Sequence, residues 1–192
     1  MIAIINCNKD KSCIGRLVGA ISLINQATLV INEEILGRME QEVLPVNDCK
    51  CAIISGSAKL AAKGDTNKEL EDFIKNWKEP ILGICYGHQI VAKVCGCELG
   101  HGEKIESEVD KGNGQVIHIL DDREIFKGLR EPIMSESHYD YVIPSPKIEM
   151  LATSSTCDIE AFRCGNRYGT QFHPERSGKD GIKLLENFVN IV

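Results

Sequence analysis

The sequence has no long apolar run, no excess of basic residues and few aromatic residues. Aromatic residues make up 5% of the 192, and 22 lysines and arginines stand against 28 acidic residues, for a net charge of −6. The most apolar stretches, residues 14–32 and 81–99, are interrupted by charged and amide side chains and fall short of the roughly 20 apolar residues of a membrane span. A broad nucleic-acid surface requires clustered Lys and Arg, which the sequence does not contain. We therefore expect neither nucleic acid nor membrane as a partner.

The first five residues, Met-Ile-Ala-Ile-Ile, do not resemble a signal peptide. They have no basic segment, and their apolar stretch is too short for one. This predicts a cytoplasmic protein, and in a reducing compartment most of its cysteines are expected to be small buried hydrophobic residues. The nine cysteines lie at positions 7, 13, 49, 51, 85, 95, 97, 157 and 164.

Two Cys-x-Cys pairs, at 49–51 and 95–97, raise the question of a metal site. Structural zinc sites usually space their cysteines as Cys-x₂₋₄-Cys, and a single intervening residue strains a tetrahedral site. We therefore predict no metal. The sequence also contains neither a Gly-rich loop followed by Lys-Ser or Lys-Thr nor a Ser-Gly-Gly-Val-Asp-Ser loop, so we expect this chain to bind no nucleotide cofactor itself.

The apolar content, 43% of the residues, is sufficient for a substantial core, and the length predicts a single domain over residues 1–192. In the first half, strand-like and helix-like patterns alternate. Helix 66–77 would begin at Thr66, with Glu69 completing a capping box. Strands are predicted at 1–6, 28–31, 51–55 and 81–84, and helices at 14–24, 33–43 and 66–77.

After about residue 97 the pattern changes to short strand-like segments joined by turns, and some of these strands are expected to pair antiparallel. The fold class is therefore α/β, with an open, mostly parallel twisted sheet, helices on both faces and a smaller antiparallel extension. In this half, strands are predicted at 104–109, 115–120, 148–153, 158–163 and 168–172, and a closing helix at 181–192.

Residues 83–87 read Gly-Ile-Cys-Tyr-Gly, after an apolar strand and before a helical stretch. This spacing is typical of a nucleophile elbow, in which flanking glycines permit a tight turn between strand and helix. The turn would place the Cys85 thiol at the carboxyl end of the sheet, where open α/β sheets bind ligands. The helix N-terminus would favour the thiolate form. Cys85 is therefore the candidate nucleophile.

A nucleophilic cysteine requires a base and a group that orients the base. Residues 171–175 read Gln-Phe-His-Pro-Glu, after a strand-like run that would bring His173 to the same edge of the sheet. Pro174 restricts His173 to extended geometry. In an extended chain, residues i and i+2 project to one side, so Glu175 is predicted to contact the imidazole. Cys85, His173 and Glu175 form a candidate catalytic triad.

Residues 83–89, Gly-Ile-Cys-Tyr-Gly-His-Gln, together with residues 171–175, resemble the class I (triad) glutamine amidotransferases, and the likeness spans nearly the whole chain. The resemblance implies that Cys85 attacks the side-chain amide of glutamine. It also implies that His173 protonates the leaving ammonia, and that water hydrolyses a γ-glutamyl thioester. By the same resemblance, Gln89 contacts the substrate.

The backbone N–H groups of Tyr86 and of the turn at Gly56 and Ser57 would form the oxyanion hole. Relatives usually have Gly-Gly-Pro in this turn, whereas residues 56–58 read Gly-Ser-Ala. A positive φ at Ser57 would carry a steric cost that glycine avoids, which would leave the hole imperfect or dependent on a partner.

Residues 137–142, Ser-His-Tyr-Asp-Tyr-Val, resemble the Ser-His-x-Asp-x-Val segment of GMP synthetase amidotransferases. The resemblance implies that main chain around Ser137, His138 and Tyr139 binds the amino-acid end of glutamine, and that Asp140 could face the synthetase. ATP and Mg²⁺ would then be bound by that separate synthetase chain. The segment His-Pro-Glu-Arg-Ser-Gly at 173–178 is closer to the glutaminase of imidazole glycerol phosphate synthase, so that acceptor and a chorismate-type acceptor stay open.

Two other hypotheses remain. A cysteine hydrolase of α/β-hydrolase type normally has its acid well before the histidine, whereas the acid here, Glu175, follows His173. A non-catalytic module that regulates a synthetase would not need the triad, but it is compatible with the unusual turn at Ser57.

Overall fold

A computed structural model describes residues 1–9, 14–38 and 45–191. Within these ranges, strands and helices alternate up to α3, and mostly strands follow. The strands are β1 (Ile2–Asn6), β2 (Thr28–Asn32), β3 (Cys51–Ile54), β4 (Ile81–Ile84), β5 (Leu99–Ser107), β6 (Gln115–Val116), β7 (His118–Ile119), β8 (Ile133–Met134), β9 (Glu136–Val142), β10 (Glu149–Thr153), β11 (Ala161–Cys164) and β12 (Arg167–Thr170). The α-helices are α1 (Gly15–Leu23), α2 (Lys68–Asn76), α3 (Tyr86–Val94) and α4 (Gly178–Val189).

The main sheet has eight strands in the order β2-β1-β3-β4-β12-β11-β10-β7. The first five run parallel, and β11, β10 and β7 extend the sheet by antiparallel pairing. The predicted fold class, a mostly parallel sheet with an antiparallel extension, is confirmed. The chain returns to the centre of the sheet at β12, which lies directly beside β4.

Helices cover both faces of this sheet. Because successive residues of a strand point to opposite faces, Ile2 and Ile4 of β1 pack with α1 and α4, whereas Ala3 and Ile5 pack with α2 and α3. The parallel strands are therefore apolar on both sides, as expected for strands buried between two helical layers. No helix of the described ranges is long and apolar enough to cross a membrane.

Two short ribbons lie outside the main sheet, one formed by β5 and β9 and the other by β6 and β8. Strand β9 contains residues 137–142. The sequence assigns this segment to a binding site and predicts no strand there. Its side chains alternate between buried and more exposed positions along the whole strand. The ribbon packs one face against α3, at the carboxyl end of the sheet.

Two predicted helix positions differ from the structure. Helix α2 begins at Lys68, and its cap is Asn67, whose side chain accepts a hydrogen bond from Leu70 N at 3.2 Å. The predicted cap at Thr66 is wrong, because an Asn side chain one residue later supplies the acceptor at least as well. The structure has a 3₁₀ helix at Glu33–Arg38 where the sequence predicts a helix over 33–43. Residues 39–44 and Cys13 lie outside the described residues.

Candidate active site

Cys85 occupies a strained turn between β4 and α3. Its φ of 51° and ψ of −103° lie in a region that non-glycine residues rarely adopt. The flanking glycines have no room for side chains: a Cβ on Gly83 would lie 2.4 Å from the Gly87 carbonyl oxygen, and a Cβ on Gly87 would lie 2.4 Å from the Ile54 carbonyl oxygen. The backbone therefore has the tight geometry of the predicted nucleophile elbow.

His173 reaches Cys85 because β12 pairs in parallel with β4, with Thr170 opposite Ile84 at the strand ends. The Cys85 N–H donates to Thr170 O at 2.8 Å, which ties the elbow to the end of β12. Three residues later, the His173 N–H donates to Ser135 O at 2.8 Å. The two side chains flank the same glycine: a Cβ on Gly56 would lie 2.8 Å from His173 Cε1 and 3.5 Å from Cys85 Cβ. Adjacent strand ends therefore bring the two residues together, as predicted.

Glu175 lies 2.8 Å from the imidazole, measured from Oε1 to Nδ1 of His173. The predicted contact is present, although the chain does not continue extended: His173 is extended, and Pro174–Arg176 form a 3₁₀ turn. Because Nδ1 donates to Glu175, Nε2 is the nitrogen left for the thiol. The side chains of His173 and Glu175 are each 11% exposed, so solvent screens this pair little.

Electrostatics at this site favour the imidazolium. Burial alone lowers the pKa of His173, but the nearby charges of Glu175 and Cys85 and their hydrogen bonds outweigh it and raise the pKa to about 10. A histidine that stays protonated at neutral pH is suited to hold a thiolate and to protonate a leaving amine. The stabilisation that this raised pKa contributes is fully present below the unfolded pKa, near 6.5, and is lost as the pH rises through about 10.

Glu175→Gln is expected to shift the basic limb of glutamine hydrolysis to lower pH by roughly one unit or more. The amide still accepts a hydrogen bond from Nδ1, but the negative charge that stabilises the imidazolium of His173 is gone. The measurement is the pH dependence of kcat/KM. Glu79→Gln is the matched control, since this exposed residue precedes β4 at the opposite edge of the sheet. An unchanged basic limb in Glu175→Gln would contradict the assigned role.

The predicted oxyanion residues surround the elbow. Tyr86 is the first residue of α3, so its N–H has no intrahelical acceptor. Gly56 lies so close that a Cβ there would be 2.8 Å from His173 Cε1 and 3.5 Å from Cys85 Cβ. Asn8 Nδ2 donates to the Gly56 carbonyl at 2.9 Å and thereby fixes the orientation of the peptide whose N–H belongs to Ser57.

Ser57 does not carry the steric cost considered from the sequence. It is not among the non-glycine residues with positive φ, whereas Cys85 is. Its hydroxyl donates to Cys7 O at 3.0 Å, which ties the turn to the loop after β1. The replacement of the relatives' Gly-Gly-Pro therefore leaves an unstrained turn at Ser57.

A cavity of about 250 Å³ opens at Cys85 and is lined by the predicted substrate residues Gln89, Ser137, His138 and Tyr139. Gln89 Nε2 donates to the backbone carbonyl of Asp140 at 2.9 Å. Ser137 O accepts a hydrogen bond from the Cys85 thiol at 3.7 Å. His138 is buried, and burial lowers its pKa to about 4, so its imidazole is neutral. Tyr139 is exposed at the rim of the cavity.

Asp140 does not face outward as expected from the sequence. Its side chain is 2% exposed, and Oδ2 accepts a hydrogen bond from Ala62 N at 2.9 Å. Oδ1 lies 2.6 Å from His101 Nδ1. The prediction of a partner-facing carboxylate is wrong, because side chains alternate between inward and outward positions along β9 and that of residue 140 points inward. The carboxylate instead holds the 3₁₀ turn at Ala61–Lys63 beside the cavity.

Two residues at the site had no predicted role. Gln171 Nε2 lies 3.8 Å from Cys85 Sγ, and its Oε1 accepts a hydrogen bond from Gln89 at 3.3 Å. Its place two residues before His173 was the available signal. Asn8, which holds the Gly56 carbonyl, had no signal in the sequence, because its position depends on the packing of the β1 and β3 loops.

The remaining cysteines and His88 have other surroundings. Among the described residues, no group of three or more His, Cys, Asp or Glu side chains is arranged to hold a metal ion. His88, one helical turn along α3, is fully buried against the Phe162 ring, and burial lowers its pKa to about 3. It is a neutral packing residue next to the elbow.

Comparison with known sequences places these residues in a family. The model of the class-I glutamine amidotransferases matches residues 18–192. The glutamine-hydrolysing GMP synthase subunit of Pyrococcus furiosus is 43% identical over 148 residues, which are 74% of this chain and 75% of that protein. Its counterpart in Pyrococcus abyssi is 40% identical over 158 residues, 77% of this chain and 80% of that protein.

Solved structures show the same fold. A candidate GMP synthase subunit from Thermoplasma acidophilum superposes with a TM-score of 0.81 at 23% identity and covers 100% of this chain and 94% of its own. A glutamine amidotransferase from Thermotoga maritima gives a TM-score of 0.71 at 18% identity, with coverage of 100% and 83%. The family match over residues 18–192 and the identity to the Pyrococcus proteins show that this chain belongs to the class-I glutamine amidotransferases.

Proposed function

We propose that the chain is the glutamine-hydrolysing subunit of a two-subunit GMP synthase and supplies ammonia to a separate synthetase chain that converts XMP to GMP. The observation that carries the proposal is the Cys85 elbow beside His173, whose imidazole is in turn oriented by Glu175. The Pyrococcus relatives, which are named as glutamine-hydrolysing GMP synthase subunits, support the choice of acceptor.

In the proposed reaction, the Cys85 thiolate, whose proton already resides on Nε2 of His173, attacks the side-chain carbonyl carbon of glutamine. The negative oxygen of the tetrahedral intermediate is stabilised by the N–H groups of Tyr86 and Ser57. The imidazolium then donates its proton to the leaving nitrogen, the C–N bond breaks, and ammonia and a γ-glutamyl thioester form. Water, deprotonated by the now neutral His173, hydrolyses the thioester to glutamate and regenerates the pair of Cys85 thiolate and His173 imidazolium.

The cavities offer separate places for substrate and product. The 250 Å³ cavity contains Cys85 and Gln89 and is the proposed glutamine pocket. A second cavity of about 420 Å³ is also lined by the Gly56–Ala58 turn, and it includes His173, Glu175 and Arg176. Because His173 is the group that protonates the leaving ammonia, this second cavity is the proposed route to the synthetase.

The synthetase is proposed to be a separate cytoplasmic chain that binds ATP and Mg²⁺. This chain has no phosphate-binding loop motif, so activation of the acceptor by ATP falls to the partner. Docking over the mouth of the site would keep ammonia away from water, where it becomes protonated and loses its nucleophilicity.

Incubation with a glutamine-like diazoketone is expected to add one reagent-derived mass to the wild type, because the bound ketone reacts with Cys85. The measurement is intact mass, followed by peptide mapping. Cys85→Ser is the matched control and should show no adduct. If the wild type is unlabelled both alone and with an XMP-dependent synthetase chain, the proposed glutaminase is contradicted.

A further inference from the structure

Gln171 is a buried side chain beside the candidate nucleophile that the reaction described above does not use. It is 0% exposed and directly follows the last residue of β12. Its backbone N–H donates to Glu160 O at 2.8 Å, which holds the residue at the edge of the sheet. Its side-chain Nε2 donates to Cys85 Sγ at 3.8 Å. The sheet therefore holds this amide against the sulfur of the elbow.

The neighbours of Gln171 decide which end of its amide faces the sulfur. Gln89 Nε2 donates to the backbone carbonyl of Asp140 at 2.9 Å, and because a carbonyl can only accept, the nitrogen of Gln89 has to lie there. The same nitrogen donates its second proton to Gln171 Oε1 at 3.3 Å. The reverse orientation of Gln171 would place two donor groups against each other. Gln171 therefore presents its N–H, and not its oxygen, to Cys85.

Cys85 Sγ has polar neighbours of two opposite kinds. Ser137 O, at 3.7 Å, can accept a hydrogen bond from the thiol but only repels a thiolate. Gln171 Nε2, at 3.8 Å, can donate to either form, and a hydrogen bond is stronger when its acceptor carries a charge. Because Cys85 is only 3% exposed, water contributes little to the solvation of its thiolate. The Gln171 N–H therefore favours the thiolate over the thiol.

We propose that Gln171 is a catalytic residue, which donates a hydrogen bond to the Cys85 thiolate beside the imidazolium of His173. Before the attack on glutamine, this N–H increases the fraction of Cys85 that is ionised. When water hydrolyses the thioester, the C–S bond breaks and its electron pair returns to Sγ, where the same N–H stabilises the developing charge. The inference rests on the proposed glutaminase function, but it concerns the ionisation of Cys85, which can be measured without glutamine.

Gln171→Met removes the donor and keeps a neutral, unbranched side chain of similar length. The measurement is the rate of Cys85 alkylation by iodoacetamide as a function of pH, with the modified peptide identified by mass. The pH of half-maximal alkylation should rise by roughly half a unit or more, because a hydrogen bond to a charged sulfur is lost. The limiting rate at high pH should stay within about threefold of the wild-type rate, since the elbow itself is unchanged.

Gln115→Met is the matched control, because it makes the same substitution outside the main sheet. Gln115, on β6, also makes two side-chain hydrogen bonds, to Val116 O at 3.1 Å and to Ser155 Oγ at 3.3 Å. Its alkylation profile should coincide with that of the wild type. An unchanged midpoint in Gln171→Met would overturn the proposal even if the alkylation rate fell, because a merely structural role changes access to the thiol and not its ionisation. An equal rise in Gln115→Met would overturn it as well.

If Gln171→Met does not fold, NMR of the side-chain amide protons of Gln171 decides. In the wild type their resonances should move over the pH range in which Cys85 alkylation rises, and in Cys85→Ser they should stay constant over that range. Constant resonances in the wild type would overturn the proposal. Diazoketone labelling requires a glutamine pocket, whereas alkylation by iodoacetamide requires only the ionised thiol, so failure of the glutaminase assignment is recognised separately.

Discussion

Cys85→Ser is expected to lower glutamine-dependent product formation in the complex with the synthetase by about 10³-fold or more. Ammonia-dependent formation should stay close to the wild-type rate. The reason is the division of labour proposed above: only the thiol can form the γ-glutamyl intermediate in the strained elbow, whereas the acceptor is activated on the other chain. The measurement is the initial rate with saturating glutamine and, separately, with an ammonium salt.

Cys164→Ser is the matched control, because this partly buried thiol at the end of β11 lies on the distal side of the sheet. It should leave both rates near those of the wild type. If Cys85→Ser retained glutamine-dependent turnover, or if neither rate changed, the chain would act as a binding module and not as a glutaminase. A loss of both rates together would indicate damage to the interface.

Gly87→Ala is expected to destabilise the protein by about 2–3 kcal/mol and to suppress Cys85 labelling. A Cβ at this position would lie 2.4 Å from the Ile54 carbonyl oxygen and 3.0 Å from its carbonyl carbon, both in the rigid backbone of β3. Helix α3 must then move away from the sheet, and the elbow at its N-terminus moves with it. Urea denaturation followed by circular dichroism gives the free energy of unfolding.

Gly19→Ala is the same chemical change, but it is expected to stabilise the protein where Gly87→Ala destabilises it. Gly19 lies on the exposed side of α1, and no atom lies within 4 Å of the position that its Cβ would take. Because alanine is the better helix former, the free energy of unfolding should rise by about 0.5–1 kcal/mol. Equal effects of the two substitutions would mean that the close approach of α3 to β3 does not constrain the elbow.

The parts that could be predicted from sequence are those set by local rules. Gly83 and Gly87 around Cys85 identify the elbow because only glycine fits there. Pro174 keeps His173 extended, and the His173–Glu175 contact was predicted from that restriction. In the first half, apolar strands alternate with helices whose apolar residues recur at helical spacing. Each of these patterns is visible within its own segment, and the alternation of strand and helix predicts a parallel sheet.

The remaining features depend on tertiary contacts. The inward orientation of Asp140 follows from the pairing of β9 with β5, which was not predicted because residues 137–142 were interpreted only as a site. The 3.8 Å approach of Gln171 to Cys85 depends on the register of β12 against β4. A single sequence contains no direct signal for such pairs.

The ladder between β4 and β12 has a consequence for control of the enzyme. Nucleophile and base follow neighbouring strand ends, with Ile84 opposite Thr170, so their separation is set by backbone hydrogen bonds inside one sheet. A docking synthetase cannot assemble the triad by closing two lobes, because both halves already belong to one rigid layer. Any gating has to act on the parts outside that ladder, the Gly56–Ser57 turn and the β5–β9 ribbon. The same arrangement leaves these outer parts free to diverge as acceptors change, while the hydrolytic chemistry stays the same.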